Sequence, residues 1–427
     1  MAPKNLILSC VQGEFPALTS RDPSDGSATS SAAKQAICRH IVEHCLSVYG
    51  NRLRAIVLAG SLARNEGTFI RVGKGWKLLG DADCFLVFQK NALLPSDSET
   101  MSLQCKIEAR LAEGGLSGKI GLSAVTPRFL KNLTALISTF ELRNSGEVLW
   151  GERDILSLIP NFPESEIARE DAWRMLCNRM IEQLAFVGDL SNMSTEMPPE
   201  LHYATVKLFL DMATSYLVFA GHYAPSFQER SKRLSALAER SSDDTPFPLK
   251  KFAARVAEFT LWKVSGEEGD CDRRMEFWHE AISCMRRLWR WEVIQLTGVR
   301  GEMTISALSE RLSKVQTPEQ RIRGWLSVAK RRGFLKSWRS WPRWVRLSFN
   351  STPRYLVYRA AAEIAFRLPC LIKHSGQPPR LDVDWRDVQA LLPEHVQRAK
   401  SDEAFLWREI VDDIIWNYSE FLLGTRA

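Results

Sequence analysis

The sequence predicts an α+β protein in which a mixed sheet with helices occupies the N-terminal third and a large all-helical region follows. Three observations predict it. Apolar runs of strand length, LRAIVLAG (53–60), DCFLVFQ (83–89) and GKIGLSAV (118–125), are confined to the first 160 residues. Beyond about residue 160, long amphipathic stretches take over at 165–190, 199–221, 226–241, 247–264 and 272–297, and strand signals nearly vanish. The composition, 45% hydrophobic and 25% charged over 427 residues, is that of a globular chain with room for two or three domains. Wholesale disorder, a collagen-like repeat and a disulfide scaffold are thereby excluded. No apolar run reaches the roughly 18 residues of a spanning helix. The richest stretch, LFLDMATSYLVFAG (208–221), carries Asp211 at its middle and reads as a buried helix.

The elements follow in order. Residues 1–30 are rich in Ser, Pro, Asp and Gly and read as a flexible tail. MAPKNLILSC is too short for a signal-peptide core, and the passing likeness of Leu8-Ser9-Cys10 to a lipoprotein box carries little weight beside it. The nine cysteines (10, 38, 45, 84, 105, 177, 271, 284, 370) are scattered, without CxxC spacing. The expectation is reduced thiols in a cytoplasmic protein. A helix is expected from Ser31, with its stop at Gly50. The buried strand 53–60 ends in Gly60-Ser61, and SLARNEG reads as one helical turn. FIRVGKGWKLL (69–79) reads as a hairpin about Gly73 and Gly75, and 83–89 as a second buried strand. A helix at 98–113, a strand at 118–125, a helix at Pro127 and an edge strand at 146–151 complete the first domain, 31–160. The remainder divides into a helical domain at 161–300 that would select a substrate or partner, and a basic, Trp-rich helical region at 301–427. Its last helix covers 402–423.

The chemistry concentrates between residues 53 and 89. A Gly-Ser step between a strand and a helical turn presents backbone N–H groups and a hydroxyl, which suits a polyphosphate, and Gly60 lets the backbone approach closely. Asp81 and Asp83 lie two residues apart, so on an extended strand both point to one face. Two carboxylates near a phosphate cradle form a site for Mg²⁺ or Mn²⁺.

AIVLAGSLARNEG…GDADCFLVF resembles the nucleotidyltransferase superfamily, with the DNA polymerase beta-like fold, over roughly residues 31–160. The likeness is to small bacterial nucleotidyltransferase-domain proteins. The resemblance implies that Gly60 and Ser61 hold the triphosphate of an NTP, that Asp81 and Asp83 hold Mg²⁺, and that Arg64 touches phosphate. Two departures stand out. The segment between Ser61 and Asp81 is longer than in minimal members. The third carboxylate usual on a later strand is replaced by Gly121, with Glu108, Glu113 and Glu141 as the other acids to consider. Two functions follow. One is transfer of an NMP from an NTP to a hydroxyl on a small molecule, protein or RNA end. The other is a degenerate module that senses NTP and docks on nucleic acid, membrane or a protein partner.

Other clusters read more plainly. Cys38, His40, His44 and Cys45 share one helix, but Cys45 is rotated about 100° from His44 and no second ligand pair follows. Asp382 and Asp384 precede a helix and read as caps. Lys207 and Asp211 stand at i, i+4 and read as an internal ion pair, with a place in a substrate cleft as the other reading. Tyr216, His222 and Tyr223 share that second reading. Residues 321–346 hold nine cations and no acid, more than the whole net charge of +7, with tryptophans at 325, 338, 341 and 344. That window suits nucleic-acid phosphates and bases, an anionic membrane surface, or a solvated basic face whose tryptophans fill the core.

Overall fold

The computed structural model describes residues 26–186, 197–240, 245–265, 275–299, 301–334, 337–373, 383–395 and 406–422. The N-terminal unit runs α1 (Gly26–Tyr49), β1 (Leu53–Leu58), the short α2 (Gly60–Ala63), β2 (Phe69–Val72), β3 (Gly75–Phe88), α3 (Asp97–Glu113), β4 (Leu116–Val125), α4 (Pro127–Lys131), α5 (Ile137–Ser145) and β5 (Glu147–Gly151). The helix expected from Ser31 already begins at Gly26, so the end of the supposed tail is helical. Ser and Thr cost an exposed helix only tenths of a kcal/mol each, about 0.5, relative to Ala. Residues 1–25 lie outside the described part.

The sheet is mixed. β3 pairs antiparallel with β1 and β2 and parallel with β4, and β5 closes the far edge against β1. The parallel pair is made by the β3–α3–β4 crossover. Ser96 starts α3 with a capping box, accepting from the Glu99 amide while Glu99 reaches back to the Ser96 amide. The hairpin about Gly73 and Gly75 forms as expected, but its second arm does not stop at 79. It runs on to Phe88, so one 14-residue strand joins the hairpin to the buried run at 83–89.

Period-2 burial along β3 decides what each face does. Ala82, Cys84 and Leu86 point into the core under α1 and α3, with Ile37, Ile41, Leu103 and Ile107. On the other face Val87 joins Val57, Leu130, Leu142 and Ile155 in a second small core. Each such fully buried aliphatic side chain contributes about 1.5–3 kcal/mol. Asp81 and Asp83 share that second face but lie short of this core, and both are exposed.

The helical remainder comprises α6 (Arg169–Leu184), α7 (Pro199–Ala220), α8 (Phe227–Arg240), α9 (Leu249–Ser265), α10 (Met275–Thr297), α11 (Ile305–Val315), α12 (Pro318–Arg332), α13 (Trp341–Ser348), α14 (Pro353–Ala365), α15 (Leu368–Lys373), α16 (Trp385–Ala390) and α17 (Leu406–Asn417). One apolar cluster runs through it from Ile137 to Tyr418, so segments 161–300 and 301–427 share a core. Thr317 and Thr352 cap α12 and α14, each followed by proline at the first helical position. Asp384 caps α16, accepting from the Arg386 amide at 2.8 Å, while Asp382 lies outside the described residues. No helix among the described residues is long and apolar enough to cross a membrane. Cys38, Cys45, Cys84, Cys105, Cys177, Cys284 and Cys370 are all free thiols.

Candidate functional site

β1 ends beside Asp83. The Ala59 amide donates to the Asp83 carbonyl at 2.8 Å, and the chain then turns through Gly60 at φ +70°. An L side chain rarely adopts that angle. Asp83 Oδ2 lies 3.8 Å from the point a Cβ on Gly60 would occupy. On its other flank Asp83 faces Gly121, its register partner on β4. The Asp83 carboxylate therefore sits between two positions with no side chain, with half-buried Ser61 next in sequence to one of them.

Asp81 is two residues earlier on the same face, opposite Lys119 on β4. The local environment pushes the Asp83 carboxyl up to about 6. Burial is the main cause and the neighbouring Asp81 charge the second, while Lys207 pulls the other way. By surface area Asp83 is open to solvent, yet enough protein surrounds it for desolvation to dominate. Mutual repulsion of two carboxylates on one face is what a bound cation relieves, and carboxylate pairs with phosphate oxygens are a usual Mg²⁺ environment. The pair thus fits such an ion. No group of three or more His, Cys, Asp or Glu side chains with metal-binding geometry is found among the described residues, the Cys38–Cys45 helix included.

The opposite wall is α7. The Lys207 charge bears on Asp83, and the Tyr203 hydroxyl is 3.8 Å from the point a Gly80 Cβ would occupy. Tyr203 accepts a hydrogen bond from Lys263 Nζ on α9 at 3.1 Å. Burial pushes the Lys263 ammonium down to about 8, against opposing pulls from Glu66 and Asp211. Asp211, expected to pair with Lys207, binds Arg179 instead. One helical turn separates Lys207 and Asp211, but the arginine on α6 supplies a planar fork that an in-helix lysine cannot match. The Lys207 charge, for its part, acts on Asp83.

Arg64 has a different setting from the phosphate contact expected of it. Its side chain is buried and donates to Glu66 at 2.8 Å and to Glu141 at 2.7 Å. Glu141 also receives Arg230 and the Tyr223 hydroxyl. Burial alone would raise the Glu141 carboxyl, but Arg230 and Arg64 hold it below the usual carboxylate range. Glu66 Oε1 accepts from the Phe227 amide at 2.7 Å, at the start of α8. This network bolts the Gly60–Glu66 turn to the helical region.

The three other acids considered for the missing position are accounted for. Glu141 is consumed in the network. Glu113 pairs with Arg110 in solvent. Glu108 accepts from the Ile120 amide at 3.0 Å, on the edge of β4 away from β3. Of the aromatic candidates, Tyr223 belongs to the Glu141 network and Tyr216 packs against Phe247 and Trp291 in the core. A cavity of about 460 Å³ lies elsewhere, lined by Arg174, Gln320, Arg323 and Tyr355 among others, with no paired acids in it.

Sequence reasoning did not single out Tyr203, Lys263 or Glu66, because their roles arise from contacts with distant elements. No family model matches this chain, and no curated protein or solved structure matches it.

Proposed function

We propose that the N-terminal unit is a nucleotidyltransferase-like domain that moves an NMP from an NTP to a hydroxyl-bearing acceptor with Mg²⁺ or Mn²⁺. The observation that carries this reading is the convergence of Asp83, with Asp81 beside it, on the Gly60-Ser61 turn. In this reading Asp81 and Asp83 hold the cation, and Gly60 and Ser61 give the triphosphate a close backbone approach. The bound cation supplies positive charge against the α-phosphate and the departing pyrophosphate. Lys207 adds a fixed positive charge at the same place, and α7 forms the wall against which the acceptor lies. The helical region is then the acceptor-selecting part.

A second reading rests on Gly121. Position 121, usual for a third carboxylate, is a glycine, and the space beside it is taken by Asp83 Oδ1. A site of two acids without an acid to take the acceptor's proton is one that binds NTP and signals its presence without turnover.

Incubation with α-labelled NTPs, Mg²⁺ or Mn²⁺ and a cell extract separates the two. Label transferred by the natural chain but not by the Asp81→Asn/Asp83→Asn variant supports the enzyme. Acid-dependent NTP binding with no transfer supports the sensing module, and neither binding nor transfer defeats both.

A further inference from the structure

The basic window that the proposed chemistry does not use forms an antiparallel hairpin of α12 and α13. Arg321 Nη1 donates to the Phe349 carbonyl at 2.7 Å at one end, and the rings of Phe334 and Trp341 meet at 6.0 Å at the other. Between them Trp325 and Trp344 are buried and face each other, with centroids 6.0 Å apart. Two of the four tryptophans thus fill the core. The other two do not: Trp338 is 64% exposed and Trp341 42%.

Seven of the thirteen large apolar side chains exposed among the described residues lie between 322 and 349. On α12, Ile322 and Leu326 are one turn apart; Trp341 and Val345 on α13 and the 75%-exposed Phe349 just past its end repeat at the same interval. Such a concentration on a water-facing surface marks an interaction site. The cations divide by role. Arg332 binds Glu394, and Arg343 donates to the Leu392 carbonyl, so these two fasten the hairpin to the body. Lys330, Arg331, Arg339 and Arg346 are exposed around the apolar side chains.

We propose that the α12–α13 hairpin is a docking surface for an anionic lipid bilayer, lying at the headgroup level without crossing it. Charge complementarity requires an anionic partner, and the aliphatic side chains choose between the two polyanions considered. Nucleic acid rewards cations and aromatic faces, on which bases stack, but Ile322, Leu326 and Val345 gain nothing from phosphates or base edges. A bilayer rewards all three classes: aliphatic side chains enter the acyl boundary, tryptophans sit among headgroups, and cations meet lipid phosphates.

The test is flotation of the full chain with vesicles of phosphatidylcholine alone and of phosphatidylcholine with phosphatidylglycerol, alongside binding to labelled RNA and DNA oligonucleotides. The expected result is capture by the phosphatidylglycerol vesicles only. Lys330→Gln/Arg339→Gln/Arg346→Gln should weaken it by about a hundredfold, from the attraction of each cation near an anionic surface. Trp338→Ser/Phe349→Ser should weaken it by about tenfold or more. Both variants change exposed side chains, and circular dichroism melts verify their folding. Absence of flotation at low salt, equal capture by neutral vesicles, or indifference to the Trp338/Phe349 change would overturn the proposal. Oligonucleotide binding lost in the cation variant, without vesicle capture, would assign the surface to nucleic acid instead.

Discussion

Replacing Gly121 by alanine isolates the acid site from the fold. The new methyl would stand in ordinary contact with Asp83 Cγ at 3.4 Å and Cα at 3.6 Å, but would overlap Oδ1. The strand therefore need not move; only the far end of the carboxylate must swing away, by about 1 Å, through a soft terminal torsion. That adjustment costs about 1 kcal/mol. In a chain of 427 residues it lowers the melting temperature by only about 1 °C. Its effect on chemistry is far larger, because a displacement of about 1 Å in a catalytic group costs about a hundredfold in rate. Calorimetric melting and Mg²⁺-dependent NTP binding or transfer, measured on one preparation, read both effects. A Gly121→Ala chain that is near native in stability and retains full Mg²⁺-dependent binding would refute the placement of Asp83 in the site.

Further consequences concern buried charge. The Asp83 carboxyl is raised to about 6, so protons compete with a cation below that value. Mg²⁺-dependent NTP affinity should be level above about pH 7 and fall about tenfold per unit below about pH 6; a flat profile to pH 5 would remove Asp83 from the cation site. Glu292 on α10 is fully buried and accepts from Ser215 Oγ at 2.5 Å, and burial pushes its carboxyl up to about 8. The folded state thus favours the protonated form. The associated stability is complete below the ordinary 4.5, declines as pH rises toward about 8 and levels off beyond. Melting curves across that range should show the decline, and Glu292→Gln should flatten it. Glu141→Gln leaves Arg64 and Arg230 buried with one counter-charge fewer, and denaturant titration should find a loss of about 3–5 kcal/mol. A loss below about 1 kcal/mol would show that the network does not bind the two units together.

Much of the N-terminal unit was legible because its signals are local. Apolar runs at 53–60, 83–89 and 118–125 mark core strands, and Thr or Ser before Pro or a Glu-bearing turn marks helix starts. The Gly60-Ser61 step and the acid pair stood out as motifs, but it is the antiparallel pairing of β1 with β3, with Leu58 opposite Cys84, that brings Gly60 beside Asp83. The length of β3 was not, because Gly80 and the polar Asp81 interrupt the apolar pattern that announces a strand. Lys207 looked like a partner of Asp211 on helical spacing; only the packing of α6 against α7 supplies Arg179 to that acid. Arg64 stands where a phosphate contact was expected, but Glu66 two residues on and the distant Glu141 enclose it. Tryptophan spacing in 321–346 likewise carried no information on exposure, and the four residues split evenly between core and surface.

The most direct test of the central claim is calorimetric titration of a non-hydrolysable NTP analogue into the full chain, with Mg²⁺ and with the metal chelated, for the natural sequence and for Asp81→Asn/Asp83→Asn. Metal-dependent binding by the natural sequence, with the metal dependence gone in the double variant, is the predicted result. Binding that is the same in both chains, or no binding of any NTP with Mg²⁺ or Mn²⁺ present, would contradict it.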